Sequence, residues 1–222
     1  MPKSQARTKK LVTLAMLTAL SYVVMYVGRI PIVMFLKYDP KDVIIAIAGF
    51  IYGPLSAAGI SVVVSLIEMF AVSDTGPWGL IMNILSTCAF VVPAAMLYRK
   101  KRTIRHALGG LVLGVVLMTG IMLLWNYLIT PIYLKAPREE IVGMLLPIFA
   151  PFNLLKGGLN TALTLLLYQP VSVALRRAKL LPPSETAADP AARRRTTMGV
   201  TLLSLALLST FVLLVLVFMG KL

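Results

Sequence analysis

Residues 107–129 read ALGGLVLGVVLMTGIMLLWNYLI. No charged side chain interrupts them, and the run exceeds the ~20 apolar residues that a helix needs to cross a bilayer. In lipid, backbone amides must be satisfied within the segment, so a run of this kind is a helix. Working outward, comparable apolar segments occupy 11–28, 43–53, 55–72, 79–98, 140–174 and 198–219. The chain has 222 residues, of which 59% are hydrophobic and 14% charged, with a mean hydropathy of +0.88. That leaves no room for a large soluble domain and gives the fold class: an all-α polytopic membrane protein. The expected organisation is a basic cytoplasmic tail over 1–10, a six-span membrane domain over 11–175, a cytoplasmic linker over 176–197 and a seventh transmembrane helix within 198–222.

Local signals refine the segments. The second is short and ends at Gly53-Pro54, where a turn and a new helix start are expected. The sixth is too long for one straight span, and Pro147 and Pro151 divide it into a short outer helix and a span from about 152 to 174. MPKSQARTKK is basic, but the apolar run after it lacks a clear cleavage site, so it reads as a tail leading into the first span. Cys88, the one cysteine, lies in an apolar run. It has no internal disulfide partner and reads as a small buried residue.

Orientation follows from Lys and Arg. Lys3, Arg7, Lys9 and Lys10 precede the first span, RKKRTIR (99–105) joins the fourth and fifth, and RRAK (176–179) and RRR (193–195) follow the sixth. An N-terminus inside the cell puts all these clusters in the cytoplasm. The opposite loops carry Arg29, Lys37, Lys41, Lys135 and Arg138 together with Asp39, Asp42, Asp74, Glu139 and Glu140. The formal charge of +14 is therefore a topology signal. The basic runs are short, juxtamembrane and without interleaved aromatics, which argues against nucleic acid as a partner and for the lipid bilayer.

Polar residues at membrane depth carry the functional signal. In PFNLLKGGLN (151–160), Asn153, Lys156 and Asn160 are spaced i, i+3, i+7 and share one helix face. A charge in a span costs roughly 2.5–3.5 kcal/mol even on lenient scales unless it is paired or reaches water. Lys156 either snorkels to the interface, pairs with Glu68 as a structural device, or serves a ligand pocket. Two amides on its face favour the pocket. Gly157 and Gly158 beside it would let another helix or a flat ligand approach. WNYLITPIY (125–133) places Asn126 near the same outer side, where Trp125, Tyr127 and Tyr133 fit either a pocket or an interfacial belt. FLKYDPKD (35–42) joins the first two spans. A solvated turn would explain its charges, whereas the apolar stretch IPIVMFLKY suits a lid. Glu68 and Asn83 lie on the outer side with pocket and structural roles both open.

Such a pocket offers amides, one ammonium and aromatics, with few committed charges. It suits a flat, mostly neutral molecule with several carbonyl and N–H groups. An asparagine donates and accepts together and so matches an imide edge, while lysine donates to a carbonyl.

Taken together, FLKYDPKD, AGFIYGP (48–54), WNYLITPIY and PFNLLKGGLN resemble the riboflavin-specific substrate-binding subunits, or S components, of energy-coupling factor transporters. The resemblance covers about residues 11–175. It implies a six-helix membrane fold in the cell membrane that binds riboflavin from outside as transported ligand, with no cofactor. It also implies a transmembrane coupling protein and two cytoplasmic ATPases as partners. Asn126, Asn153 and Lys156 match the positions that hold the isoalloxazine ring, with Asn160 one turn deeper. Leu36, Lys37, Tyr38 and Asp39 match the capping segment. Ala15 and Ala19 form an AxxxA pair resembling the surface that docks on the coupling protein. Gly49/Gly53 and Gly110/Gly114 share that spacing, which also serves ordinary helix packing. The seventh apolar segment departs from the six-helix pattern, and its Pro/Ala-rich linker suggests an appendage.

An enzyme is disfavoured. His106, the one histidine, lies in a basic loop, Glu68 has no carboxylate partner in its span, and no P-loop occurs, so ATP hydrolysis must come from other subunits.

Overall fold

The computed structural model describes residues 3–33, 36–72, 75–181 and 190–220. Met34, Phe35, Asp74, Lys221 and residues 182–189 of the linker lie outside the described residues. So does the side chain of each arginine in the 193–195 cluster.

The chain is helical almost throughout. Helix α1 (Lys3–Gly28) leads into a small antiparallel hairpin, β1 (Ile30–Val33) and β2 (Leu36–Tyr38). There follow α2 (Lys41–Tyr52), α3 (Pro54–Ala71), α4 (Gly76–Lys100) and α5 (Ile104–Leu128). Two short helices, α6 (Thr130–Leu134) and α7 (Arg138–Met144), precede α8 (Ala150–Arg177), and α9 (Pro190–Phe218) comes last. Among the described residues, six helical stretches are long and apolar enough to span a membrane: α1, α3, α4, α5, the continuous run Arg138–Arg177, and Met198–Phe218.

Three features differ from the sequence expectations. Helix α1 starts at Lys3, so the basic segment continues the helix instead of forming a separate tail. Helix α2 has 12 residues, about 18 Å at 1.5 Å per residue, well short of the ~30 Å hydrocarbon core. The hairpin precedes its first residue, with Ile30 paired to Tyr38 and Pro31 to Lys37. A proline is tolerated there because the ribbon has only edges. Finally, Pro147 does not break the sixth segment. Leu145–Phe149 forms a π-helical turn that joins α7 to α8, with Pro151 in the first turn of α8. A wider turn accommodates the two missing backbone donors without interrupting the helix.

The Gly53-Pro54 boundary is where it was expected. Gly53 has φ +93° and Pro54 starts α3, so the chain reverses at a residue for which a left-handed backbone costs little.

Small residues set the helix contacts. A methyl group added at Gly114 would lie 2.3 Å from the carbonyl oxygen of Phe90, and one at Gly110 would lie 2.9 Å from the backbone of Ala94. Helices α4 and α5 therefore touch backbone to backbone. At Gly49 the neighbours are side chains: an added methyl would lie 3.1 Å from the Cβ atoms of Ala57 and Ala95. The core between these helices is built on Ile45, Val64, Phe90, Val91, Leu111 and Met118.

Helix α9 packs along α8, with the Phe211 ring against Gly158. It is thus a contacting outer helix. Most of its remaining surface is apolar and exposed, as lipid contact requires. The basic residues of α4 and α8, Arg99, Lys100, Arg176 and Arg177, gather at the end of the bundle opposite the hairpin. There Lys9 also reaches the carbonyl of Lys179 (3.4 Å).

Candidate functional site

A cavity of about 290 Å³ opens at the hairpin end. The hairpin covers one side. The first turns of α4, the last turns of α5, helix α6 and the start of α8 form the rest. Leu36, Trp78, Met82, Met122, Trp125, Tyr133 and Phe152 give it flat apolar and aromatic walls. Asn126, Asn153 and Lys156 converge on it from two helices, and Leu36, Lys37 and Asp39 from the hairpin side.

Local backbone geometry aims the amides. The Asn153 Nδ2 donates to the carbonyl of Phe149 (2.8 Å), the last residue of the π-helical turn. Asn126 Nδ2 donates to the carbonyl of Met122 (2.7 Å), and Asn126 Oδ1 accepts from Thr130 Oγ1 (2.9 Å). Each amide is tethered one turn back, which fixes its rotamer and leaves donor and acceptor capacity for a ligand.

A buried ionic network adjoins the cavity and reaches its wall through Arg29, Asp39, Glu68, Asn83 and Lys156. Lys156 Nζ stands 3.8 Å from Asp42 Oδ2. Asp42 also accepts from Thr87 Oγ1 (2.7 Å) and from Asn160 Nδ2 (3.2 Å), and Asn160 Oδ1 accepts from Tyr38 Oη (2.9 Å). A second group centres on Glu68, which accepts from Lys41 Nζ (2.6 Å), from Asn83 Nδ2 (3.0 Å) and from Arg29. Lys41 is also 3.8 Å from Asp39. Unpaired, any of these charges would be expensive at this depth; paired, they fix the hairpin to α2, α3 and α8. Burial raises the Asp39 carboxyl, but Lys41, Lys156 and Arg29 outweigh that effect and hold it below the ordinary carboxylate value. Burial, with help from Asp42 and Asp39, pushes the Tyr38 phenol well up, so it remains a donor.

This geometry bears on several readings that the sequence left open. Lys156 neither snorkels nor pairs with Glu68; its partner is Asp42. Asn160 and Tyr38 are buried and bonded to each other, and neither lines the cavity. Lys41 and Asp42 are not part of a solvated turn: both are 0% exposed. They open a helix that is otherwise apolar, and their partners come from α3, α4 and α8. Gly157 and Gly158 admit helices, with Val115 and Met118 of α5 on the first and Phe211 of α9 on the second. Trp125 and Tyr133 line the cavity, whereas Tyr127 lies outside it under the Arg138 guanidinium (5.3 Å).

Sequence reasoning missed Trp78, Met82, Thr130 and Phe152 on the walls. Nothing distinguishes them in sequence from ordinary membrane residues. For Asp42 a signal existed: an acidic residue opening the apolar run VIIAIAGF.

Ala15 and Ala19 are exposed on α1. That helix buries the other face, with Thr13, Leu17, Ser21 and Met25 turned inward. Gly49, Gly110 and Gly114, which belong to the two glycine pairs of the same spacing, are consumed by internal helix contacts.

Comparisons with known proteins agree with this architecture. A family model described as "ECF transporter, substrate-specific component" matches residues 9–168. The chain is 32% identical to the riboflavin transporter RibU of Streptococcus thermophilus over 76% of its length and 85% of that protein. It is 27% identical to the riboflavin transporter RibU of Staphylococcus aureus, over 77% of this chain and 94% of that one. With the riboflavin transporter FmnP of Bacillus subtilis it shares 30% identity over 73% and 91% of the two chains. A solved S component of a bacterial ECF transporter superposes with a TM-score of 0.63 at 27% identity, covering 76% of this chain and 98% of that one.

Proposed function

This chain belongs to the substrate-specific components of ECF transporters, and we propose that it captures riboflavin outside the cell for an ATP-driven coupling module. The observation that carries this reading is the convergence of Asn126, Asn153 and Lys156 on one aromatic-walled cavity. The tethered amides offer paired donor and acceptor groups to the imide edge of an isoalloxazine, and Lys156 donates to a ring carbonyl. Trp78, Trp125 and Tyr133 provide flat surface for the rings. The buried charges offset one another, Arg29, Lys41 and Lys156 against Asp39, Asp42 and Glu68, and Lys37 adds a further cation on the hairpin side. The buried part of the site thus suits a neutral ligand. Asp39 is 4% exposed, lines the cavity, and has an Oδ1 without a hydrogen-bond donor. A hydroxyl of the ribityl chain would satisfy it.

The hairpin end faces outside in this reading, and the basic end lies in the cytoplasm, where positive residues concentrate. The coupling protein docks on the exposed small-residue face of α1 at Ala15 and Ala19. ATP is hydrolysed by two partner subunits.

The absorption spectrum of the purified protein tests the ligand. Co-purified flavin, or stoichiometric quenching of added riboflavin fluorescence, is the expected result. A folded protein that leaves riboflavin fluorescence unchanged at micromolar concentrations would sink the proposal.

A further inference from the structure

Asp42 does not line the cavity, yet both of its oxygens are engaged beside it. It is 0% exposed. One oxygen accepts from Thr87 Oγ1 (2.7 Å) on α4. The other accepts from Asn160 Nδ2 (3.2 Å) on α8 and faces Lys156 Nζ at 3.8 Å. Asn160 is held in turn by Tyr38 Oη (2.9 Å) on the hairpin. A chain of polar groups thus runs from the hairpin, Tyr38 to Asn160 to Asp42, and ends on the lysine at the cavity wall.

We infer that Asp42 is the positioning residue for Lys156, and that the Tyr38–Asn160–Asp42 chain sets the lysine's aim according to how the hairpin is seated. The inference rests on the proposed reading of Lys156 as a ligand donor. A lysine carries four rotatable carbons and a charge that seeks water. In a cavity open to solvent it would swing outward unless an anion fixed it. The separation of 3.8 Å holds the ammonium by charge without consuming its short hydrogen bonds, so its donors remain available to a ligand carbonyl. Asp42 also cancels the lysine's charge. Lys156 is therefore an oriented donor whose own charge is offset, which suits a neutral carbonyl.

A purely structural ion pair and a positioning pair differ in one measurable respect. If Asp42 acts on the ligand through Lys156, the two residues are coupled in riboflavin affinity as well as in stability. The experiment is a double-mutant cycle with Asp42→Asn, Lys156→Met and the double variant, read by riboflavin fluorescence quenching and by thermal unfolding in detergent. Asp42→Asn alone is expected to weaken binding about tenfold, and to have less than about threefold further effect when Lys156 is already Met. Tyr38→Phe, which removes one hydroxyl and is expected to fold, supplies a second cycle should Asp42→Asn not fold. It should speed riboflavin release several-fold, and only when Lys156 is present. Effects on affinity and release that multiply independently overturn the inference, even if the pair is coupled in stability. A wild-type protein that binds no riboflavin overturns the functional reading and this inference together. Wild-type binding with independent effects overturns the inference alone.

Discussion

Lys156→Met retains the length and apolar stem of the side chain and removes its donor. Losing a hydrogen bond from a charged group costs roughly 1.5–3 kcal/mol, so riboflavin affinity should fall about ten- to a hundredfold. Fluorescence titration of the folded variant checks this, and unchanged affinity would return Lys156 to a structural role beside Asp42. At this scale the candidate site was partly legible. Asn126, Asn153 and Lys156 stood out because polar groups in apolar runs are costly and need a reason. Asp42 and Lys41 were misplaced for the converse reason. They adjoin a turn-forming Asp39-Pro40, and charges beside a turn are usually wet. Their burial depends on partners from α3, α4 and α8, a tertiary fact that no local pattern encodes. Asn160 shares a helix face with Lys156 but lies one turn deeper, where it bonds Asp42 and Tyr38.

Glycines at helix contacts make distinct predictions for each helix pair. At Gly114 an added Cβ would lie 2.3 Å from a backbone oxygen of α4, which cannot move without moving the helix. At Gly158 the obstacle is the tip of the Phe211 ring at 2.1 Å, which can swing on its own torsions. Gly114→Ala should therefore destabilise the bundle by about 1–3 kcal/mol or more. Gly158→Ala should loosen α9 at much smaller cost. Thermal unfolding in detergent, followed by release of flavin, ranks the two. Equal losses would mean that α9 is as integral to the bundle as α5. The hairpin calls for a different measurement. Its ribbon has few backbone bonds of its own, and its hold on the bundle runs through Tyr38, Asp39 and Arg29. Bound riboflavin should slow amide exchange in Leu36–Tyr38 and leave α3 unchanged. Equal exchange with and without ligand would make the ribbon a plain connector. Helix positions were readable from apolar runs, because length and hydropathy alone determine what crosses lipid. The hairpin was hidden, since IPIVMFLKY is apolar enough for a lid of any shape. The π-helical turn was hidden too, since two prolines four residues apart read first as a break.

For the molecule as a whole, the cavity and the exposed face of α1 stand apart. The ligand groups sit at the hairpin end, whereas Ala15 and Ala19 lie nearer the basic end, on a face that no described part of the chain covers. Small residues four apart generally mean close helix contact. Gly49, Gly110 and Gly114 make that contact inside the bundle. Among the described residues the alanine pair has no such internal partner, which is why it is the candidate for an external one. Replacing both alanines with Trp should prevent close approach of a partner helix and leave the cavity untouched. Riboflavin affinity should stay within about twofold of wild type, a difference well under 1 kcal/mol. Uptake in cells should fall strongly, and recovery of the coupling protein with the tagged variant should drop in parallel. Retained binding certifies the fold of the variant, so the two readouts cannot be confused. If the double variant binds riboflavin and transports it at the normal rate, the α1 face is lipid-facing surface. The partner then docks elsewhere, and the exposed flank of α9, which lies outside the matched residues 9–168, becomes the next face to test.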